Sequence, residues 1–456
     1  MNITSSALLT DLYELTMGQA YLTEGLRGEA VFEFFVRKLP AHRSFLMAAG
    51  LEQVLSYLET FQFSAEELEW LKRTGRFTPA YLETLRGMRF HGHVHAMPEG
   101  TLFFPHEPIL RITAPLIQAQ LIESRVMNLL NFQTMVASKA GRCLLAAKDK
   151  PLIDFGLRRA HGAEAGVMAA RAAYLAGFAG TSNVLAGALF HIPLYGTMAH
   201  SFVQAHADES AAFAEFARAQ PSNVVLLIDT YDTLAAAHKI VALAPRLALQ
   251  GLTVHGVRLD SGDLADQAVR VRRILDEGGL AHVKILASGN LDEQRLQTLV
   301  DGRAPIDSFA VGTAMTTSSD QPFLDCAYKL QEYSGQACRK RSEGKATWPG
   351  RKQIYRQLDE QGRLRQDILA LDGDVQPGAP LLVPVMEGGR RLSPTPSIAD
   401  IRQTAATALA QLPDWLRGLE TQRPYEARIA ASLIELAAEV DRRTSSPADS
   451  RALHHY

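Results

Sequence analysis

The stretch Asn223-Val-Val-Leu-Leu-Ile-Asp229 is a continuous apolar run that ends in a carboxylate. Similar runs occur at 151–155, 252–260, 282–287 and 306–311, and helical patterns separate them. Continuous apolar strands that alternate with helices are typical of a parallel sheet covered on both faces. We therefore predict an α/β fold built on an irregular or incomplete (β/α) barrel of parallel strands. An open doubly wound sheet is the alternative.

This alternation is confined to the middle of the chain, which at 456 residues is long enough for two or three domains. We assign residues 126–325 to the barrel and 1–125 to an N-terminal α+β domain, in which 43–88 looks helical. Residues 326–456 are strand-like and then helical. Neither flanking part shows a closed core alone, so we expect the C-terminal region to pack back on the N-terminal domain.

Composition and charge exclude several classes of protein. The net charge is −2, which gives no electrostatic case for a nucleic-acid partner. No signal pattern opens the chain, and the most apolar stretch is interrupted by Arg171 and Asn183, so no membrane span is expected. The cysteines form no C-x-x-C pair, which favours a cytoplasmic protein without a zinc knuckle; they are Cys143, Cys326 and Cys338.

Polar and small residues follow each predicted barrel strand. These ends read F-G-L-R-R (155–159), G-T-S-N (180–183), G-T-M-A-H-S (196–201), D-T-Y-D-T (229–233), R-L-D-S-G-D (258–263), S-G-N (288–290) and G-T (312–313). In a barrel they face one common mouth. Any one of them can be a helix N-cap. Seven together, with arginines and a histidine, exceed what capping needs and predict a shared site for an anionic ligand.

The chemistry of these ends suggests the ligand. Asp229, Asp260 and Asp263 would repel phosphate unless Mg²⁺ lies between, or unless they bond to ribose hydroxyls. Phe155 beside an arginine can sandwich a flat ring. Gly-Thr and Ser-Gly steps offer N–H groups and hydroxyls to phosphate; they occur at 180–181, 196–197, 288–289 and 312–313. A phosphorylated sugar and a flat anionic ring fit this description, whereas no P-loop or Rossmann motif is present.

Histidines at two places are candidates for chemistry. His200 follows the third strand among small residues, and alone it would more often be a packed residue than a reactive one. The polar residues that are predicted around His200 at the barrel mouth favour a reactive role. His91, His93 and His95 would share one strand face. A metal site there is disfavoured against a packed or solvated face, because no cysteine or carboxylate joins at ligand spacing.

With these motifs in order, the chain resembles the nicotinate phosphoribosyltransferases, a type II phosphoribosyltransferase family. The motifs are T-D-L-Y-E-L-T-M (10–17), F-G-L-R-R-A-H-G (155–162), G-T-S-N-V-L-A-G (180–187), G-T-M-A-H-S-F (196–202), D-T-Y-D-T (229–233), G-V-R-L-D-S-G-D-L (256–264), S-G-N-L-D-E (288–293), V-G-T (311–313) and P-G-R-K-Q-I-Y-R (349–356). The resemblance covers roughly residues 10–356 and leaves the last hundred without an expected role.

The resemblance implies an activity. Enzymes of this family join nicotinate to phosphoribosyl pyrophosphate with coupled ATP hydrolysis, giving nicotinate mononucleotide and pyrophosphate for NAD biosynthesis. It implies Mg²⁺ as cofactor, a homodimer with the site near the subunit interface, and phosphorylation of His200 by ATP. An imidazole suits that step because it is largely neutral near pH 7 and nucleophilic at nitrogen.

The resemblance also assigns residues. His200 and Asp260 are implied to be catalytic. The implied nicotinate pocket contains Tyr13 (from a partner subunit), Phe155, Arg158, Ser182, Thr197 and Arg258. The implied phosphoribosyl pyrophosphate site contains Asp263, Ser288, Gly289, Asn290, Gly312 and Thr313, together with Asp260. Lys352 is expected to reach ATP or pyrophosphate.

Other functions are compatible with the same fold. A nicotinamide or quinolinate phosphoribosyltransferase would have the same fold. Related nicotinamide enzymes carry an aspartate at the position of Ser182, where a carboxylate would repel that of nicotinate and a hydroxyl can donate to it. A non-catalytic relative would show a damaged motif, and a barrel lyase would want a Schiff-base lysine at a strand end, whereas Lys284 lies mid-strand.

Overall fold

The computed structural model describes residues 6–420 and 423–445. The chain forms two compact units: a central unit, Val136–Pro322, and an outer unit made of the residues up to Met135 and those from Phe323 onward. The sequence placed the first boundary at residue 125. In the structure the division lies after Met135, inside helix Glu123–Ala147, which continues across it without a break.

The core of the central unit is a six-stranded parallel sheet, so the parallel sheet predicted from the apolar runs is confirmed. In sheet order its strands are Gly180–Thr181, Leu152–Asp154, Ser308–Val311, Lys284–Ala287, Gly256–Leu259 and Val225–Leu227. A parallel bridge from Thr181 to Leu194 extends the first edge.

The strand order is that of an incomplete barrel. Consecutive strands lie side by side from Leu152–Asp154 to Gly180–Thr181 and from Val225–Leu227 to Ser308–Val311. The last strand, Ser308–Val311, pairs with the first, Leu152–Asp154. A doubly wound sheet would reverse direction at an internal switch point instead. In chain order, Leu194 takes the place of the third strand and Val225–Leu227 is the fourth. Among the described residues no ladder joins these two, so the sheet is open between them.

Helices connect these strands, and most begin at a polar cap. They are Ala163–Ala176, Val184–Phe190, His200–Gln204, Glu209–Ala219, Thr233–Ala248, Leu264–Glu277, Glu293–Asp301 and Thr313–Thr316, with a 3₁₀ turn at Leu157–Arg159. Asn183, Asp208, Asp232, Asp263 and Asp292 each accept a backbone N–H in the first turn of the following helix.

In the outer unit, one sheet contains strands from both ends of the chain. Strand Glu29–Val36 lies between Leu110–Pro115 and Cys326–Tyr333, antiparallel to both. The other strands of this seven-stranded sheet are His93–Ala96, Gln336–Ala337, Val383–Glu387 and Arg390–Arg391. These pairings place the C-terminal region on the N-terminal strands.

Smaller sheets and helices complete the outer unit. Four strands form a second sheet: Lys352–Leu358, Leu364–Leu371, Ala379–Pro380 and Arg428–Ile429. The helices are Leu12–Thr23, Leu51–Thr60, Ala65–Arg73, Pro79–Arg86, Leu116–Leu121, Ile398–Ala410, Asp414–Arg417 and Ala431–Ser445.

The expectation that the helical region begins at residue 43 is wrong. Leu46–Met47 is a short strand paired with Leu102–Phe103, and the first helix begins at Leu51. In the part of the chain that the structure describes, no helix is both long and apolar enough to cross a bilayer.

Candidate active site

Arg258 is the centre of a hydrogen-bond network at the carboxyl end of the parallel sheet. Its Nε donates to Ser288 Oγ at 2.8 Å, and its Nη2 donates to Asp260 Oδ1 at the same distance. Its Nη1 donates to Thr197 Oγ1 at 3.2 Å. Ser288 in turn donates to Asp260 Oδ1 at 2.5 Å. The guanidinium therefore fixes side chains from three different strand ends that the sequence assigned to one site.

His200 lies where the barrel is open. It begins the short helix His200–Gln204, on the connection between the third and fourth strands. Asn223 donates from Nδ2 to the carbonyl of Gly196 at 2.8 Å and so holds this connection. The imidazole Nδ1 lies 3.1 Å from Thr230 Oγ1, and Nε2 lies 3.9 Å from Asp260 Oδ2. With its side chain 42% exposed, the ring is oriented by its neighbours and still accessible to a ligand.

The carboxylate of Asp260 is kept ionised. Burial alone raises its pKa, but the hydrogen bond from Ser288 and the charge of Arg258 outweigh it and hold the pKa below the ordinary value. A charged carboxylate beside His200 can bind a cation or stabilise positive charge that develops nearby.

One carboxylate oxygen of Asp229 has no hydrogen-bond partner. Its Oδ2 accepts from the backbone N–H of Asp260 at 3.0 Å and from Ser261 Oγ at 2.6 Å. Its Oδ1 is buried without a hydrogen-bond partner. Over residues 6–420 and 423–445 no cluster of three histidine, cysteine or carboxylate side chains could ligate a metal. Oxygens from one or two carboxylates, completed by substrate phosphates, nevertheless fit Mg²⁺.

Phe155 packs under Arg258. The guanidinium carbon lies 5.2 Å from the ring centroid, and the ring rests on the apolar cluster of Ile153, Leu286 and Ala310. The guanidinium therefore covers one face of the ring, and the expectation that Phe155 and an arginine sandwich a flat ring stays a prediction. A flat ligand can stack only on a face that this contact leaves free.

The loops at 260–263 and 289–291 border a pocket of about 540 Å³. Gly289 has φ +95°, and a Cβ atom there would lie 1.9 Å from the carbonyl oxygen of Asp260. Only glycine allows this approach. Asn290 and Asp263 also line the pocket, although Asp263 already accepts from the N–H groups of Ala265 and Asp266 as an N-cap.

The four Gly-Thr and Ser-Gly steps differ in what they expose. The hydroxyl of Thr181 is buried and donates to Asp154, so the phosphate role expected for 180–181 is wrong. The hydroxyls of Thr197 and Ser288 belong to the Arg258 network. Thr313 is exposed at the start of its helix, and Gly312 packs against the carbonyl of Phe155.

Comparison with known proteins identifies the family. The profile of the nicotinate phosphoribosyltransferase (NAPRTase) N-terminal domain matches residues 8–131, and that of the nicotinate phosphoribosyltransferase (NAPRTase) family matches residues 151–347. The chain belongs to the nicotinate phosphoribosyltransferase family. The resemblance stated from the motifs is therefore confirmed.

Individual relatives agree with this membership. Nicotinate phosphoribosyltransferase pncB2 of Mycobacterium tuberculosis is 49% identical over 94% of this chain and 93% of its own length. The Bacillus subtilis nicotinate phosphoribosyltransferase is 40% identical over 78% of this chain and 74% of its own. The crystal structure of human nicotinic acid phosphoribosyltransferase superposes with a TM-score of 0.84 at 29% identity, covering 95% of this chain and 99% of the human one.

In this member of the family, the remaining residues of the expected nicotinate pocket have different surroundings. Ser182 is half-buried, and its N–H donates to the carbonyl of Asp154 at 2.9 Å. Arg158 is exposed on the turn after the first barrel strand. Tyr13 lies in the outer unit, on helix Leu12–Thr23, and is 45% exposed. Thr197 and Arg258 are joined, as described above.

The position of Lys352 in the structure contradicts the role that was expected for it. It is buried in the outer unit, where its ammonium contacts Glu33 at 2.8 Å and donates to the carbonyls of Trp348 and Gly350. All three N–H groups are thereby used within the protein. The side chain cannot reach ATP or pyrophosphate without leaving Glu33 uncompensated in the interior.

The expectation that His91, His93 and His95 share one strand face is wrong for His91, which precedes the strand. His93 and His95 lie on strand His93–Ala96, opposite Thr113 and Arg111 of the neighbouring strand. Burial and the positive charge of Arg111 lower the pKa of His95. A cation at this face would meet Arg111, which agrees with the packed face favoured from the sequence.

Asp154 is a residue of the site that the sequence did not single out. It ends the first barrel strand and is 2% exposed. Its carboxylate accepts from Thr181 Oγ1 at 2.7 Å and from the N–H of Gly156 at 2.8 Å. Burial raises its pKa above the ordinary value. An acidic residue inside an apolar run, directly before a strand end, was the available signal.

Proposed function

We propose that this chain joins nicotinate to phosphoribosyl pyrophosphate, giving nicotinate mononucleotide and pyrophosphate, and that ATP hydrolysis is coupled to this reaction through phosphorylation of His200. The observation that carries the proposal is the arrangement of His200, Asp260 and Arg258. An accessible imidazole lies 3.9 Å from an ionised carboxylate, which an arginine fixes from the other side.

In the ATP step, a ring nitrogen of His200 attacks the γ-phosphorus. The bond between that phosphorus and the bridging oxygen breaks, and ADP leaves with the electron pair. Thr230 holds the Nδ1 side of the ring and Asp260 faces the Nε2 side, so the imidazole starts in one orientation. Hydrolysis of the phosphohistidine then returns the free imidazole and releases phosphate.

In the glycosyl step, the pyridine nitrogen of nicotinate attacks the anomeric carbon of the sugar. The bond from that carbon to the pyrophosphate oxygen breaks, and pyrophosphate leaves with the electrons. The close approach of Gly289 to Asp260 shapes the pocket for the sugar phosphates, and Ser182, Thr197 and Phe155 are assigned to nicotinate. Positive charge develops on the sugar, and fixed carboxylates stabilise it.

Mg²⁺ is proposed as the cofactor. It supplies charge neutralisation of the phosphates when bound. Asp229, through its unpartnered Oδ1, and Asp260 would hold it together with substrate oxygens. Removal of divalent ions with a chelator should then abolish turnover, and added Mg²⁺ should restore it.

A radiolabelling assay tests the ATP coupling. Purified chain incubated with γ-labelled ATP should acquire an acid-labile, base-stable label, and His200→Asn should acquire none. Nicotinate turnover at low substrate concentration should rise on addition of ATP in the wild type only. Absence of label in the wild type, with turnover indifferent to ATP, would contradict the coupling and leave the glycosyl transfer standing.

The choice of pyridine substrate is tested separately. Nicotinamide and quinolinate phosphoribosyltransferase activities are the alternatives on the same fold. Presenting nicotinate, nicotinamide and quinolinate side by side, each with phosphoribosyl pyrophosphate, should give a kcat/KM that is highest for nicotinate. A higher value for either competitor would reject nicotinate as the substrate.

We further propose that two copies form a dimer in which Tyr13 of the partner subunit completes the nicotinate pocket. Exposed apolar side chains support an interface on both units: Leu9, Leu12 and Tyr13 on one, and Val184, Leu185, Leu189, Leu194 and Tyr195 on the other. Exposed apolar groups in this number are typical of protein–protein contact surfaces.

Subunit complementation tests the shared pocket. Tyr13→Ala should have little activity alone, and His200→Asn should lack the part of the activity that ATP stimulates. Co-expressed, they should form mixed dimers with one intact site, restoring about a quarter of the ATP-stimulated activity of the wild type for random pairing in a twofold dimer. No recovery in verified mixed dimers would show that Tyr13 acts within its own subunit or not at all.

A further inference from the structure

The carboxylate of Asp154 connects three strand ends of the central unit. Its Oδ1 accepts from the N–H of Gly156 at 2.8 Å and from Thr316 Oγ1 at 3.4 Å. Its Oδ2 accepts from Thr181 Oγ1 at 2.7 Å. The backbone carbonyl of the same residue accepts from the N–H of Ser182 at 2.9 Å. One buried residue thus receives hydrogen bonds from the first strand end, the second strand end and the helix after the last strand.

Two of these partners are adjacent to a residue assigned to substrate, and the third lies on a helix that begins at such a residue. Gly156 follows Phe155, whose own N–H donates to Val311 O at 3.0 Å. Thr181 precedes Ser182. Thr316 ends the short helix that begins at Thr313. Asp154 itself is 2% exposed and is therefore shielded from solvent.

The packing around Asp154 leaves little freedom. A Cβ atom at Gly156 would lie 1.6 Å from Thr316 Oγ1, so that backbone approaches the helix as closely as glycine allows. Thr181 Oγ1 also accepts from the N–H of Asn183 at 3.0 Å, which fixes the turn that contains Ser182. Movement of the carboxylate would therefore shift Phe155 and Ser182 together.

We infer that Asp154 is a positioning residue that sets the distance between Phe155 and Ser182 and so determines the affinity for the pyridine substrate. This inference rests on the proposed function, because it takes nicotinate as the ligand of that pocket. Asp154 acts through its neighbours and touches neither substrate nor reacting atoms.

A carboxylate suits this task better than its amide. All three side-chain contacts are donations to Asp154, and an ionised carboxylate is an acceptor at both oxygens. In Asp154→Asn, one oxygen becomes an NH₂ group. If that group faces the Gly156 N–H, this hydrogen bond is lost; if it faces Thr181, the hydroxyl, which already accepts from the N–H of Asn183, must accept a second time and give up its own donation. In either orientation one donation to this side chain is lost, while its volume stays the same.

The test is the KM for each substrate in Asp154→Asn, Thr181→Val and Thr181→Ser. We expect Asp154→Asn and Thr181→Val to raise the KM for nicotinate roughly tenfold, on the scale of one lost buried hydrogen bond, while the KM for phosphoribosyl pyrophosphate changes less than about threefold. Thr181→Ser keeps the hydroxyl and should restore the wild-type value.

Glu293→Gln is the matched control. Glu293 is a second fully buried carboxylate of the same unit, and it pairs with Lys139 and Arg142. Its substitution should lower Tm without changing the ratio of the two KM values. That difference separates a positioning role from a general loss of stability.

The outcomes separate this inference from the proposed function. A wild type that does not use nicotinate overturns both. A wild type that does, with both KM values rising equally in Asp154→Asn and Thr181→Val or with neither rising, overturns this inference alone. Should Asp154→Asn fail to fold, the Thr181 pair decides in the same way, because serine rescues only if the hydroxyl contact sets the pocket.

Discussion

The Nδ1 atom of His200 lies 3.1 Å from the hydroxyl of Thr230, across the opening of the parallel sheet. His200 follows the third strand and Thr230 the fourth, and no ladder joins these two strands in the described chain. The contact therefore fixes the imidazole where backbone pairing cannot. A hydroxyl can serve either tautomer, so it orients the ring without deciding its protonation.

This contact predicts that Thr230→Val slows phosphorylation of His200. Valine keeps the shape and removes the hydroxyl. Loss of one hydrogen bond of about 1 kcal/mol should reduce the rate of label transfer from ATP roughly five- to tenfold. The measurement is single-turnover labelling with γ-labelled ATP, and turnover without ATP should change much less. Thr230→Ser, which retains the hydroxyl, should behave as the wild type; equal losses in both variants would contradict the prediction.

Gly289→Ala is predicted to disrupt the phosphoribosyl pocket. Alanine at φ +95° costs about 1–2 kcal/mol, and its Cβ would meet the Asp260 carbonyl at 1.9 Å. The strand end must shift, and we expect kcat/KM to fall at least about a hundredfold because catalytic geometry tolerates little displacement. Steady-state kinetics measures this.

Gly279→Ala is the control for that variant. Gly279 has a similar positive φ of +76°, but a Cβ atom there meets nothing within 4 Å. Its substitution should cost comparable stability and leave kcat/KM near the wild-type value. If both alanine variants lose activity equally, the close approach to Asp260 is not the cause.

The local sequence pattern predicted the strands of the central sheet. It failed where a strand forms only because of a partner that is distant in the sequence. The run 223–229 predicted a buried strand, and Val225–Leu227 is one. Leu46–Met47 was taken as helical because its partner, Leu102–Phe103, lies far along the chain and leaves no local periodicity.

Two charged residues also have roles that depend on partners far away in the sequence. Lys352 in a G-R-K sequence has the appearance of a phosphate ligand, but Glu33, more than three hundred positions earlier, neutralises it in the interior. Asp154 looks like one more polar strand end. Its role appears only when Gly156, Thr181 and Thr316 are brought together around it. The residue types at the strand ends could be predicted from the sequence. Which of these side chains are buried could not.

Ser182→Asp is predicted to discriminate between pyridines. The new carboxylate would lie beside the turn held by Asp154 and would repel the carboxylate of nicotinate. We expect kcat/KM for nicotinate to fall more than about tenfold, with a smaller loss for nicotinamide, since an amide can donate to a carboxylate. Ser182→Asn has nearly the same size without the charge and should lose less nicotinate activity. An unchanged value for Ser182→Asp would refute this assignment of the pocket.

Glu14, beside Tyr13, is predicted to make stability depend on pH. Burial raises its pKa to about 7, against the opposing hydrogen bonds from Ser124 and Thr10. A carboxyl group whose pKa is raised on folding stabilises the folded state while protonated, and this contribution is lost as pH rises from about 4.5 to about 7. Glu14→Gln should therefore remove a stability decrease across that window.

The measurement is Tm of the wild type and of Glu14→Gln at pH 5 and pH 7.5. Relative to the variant, the wild type should lose a few degrees of Tm between the two conditions, because a pKa raised from 4.5 to about 7 is worth roughly 2 kcal/mol over that interval. Glu24→Gln, an exposed carboxylate at the end of the same helix, should show no such pH-dependent difference. A wild type that gains stability relative to Glu14→Gln as pH rises would show that the hydrogen bonds from Ser124 and Thr10 outweigh burial, and that Glu14 is ionised throughout.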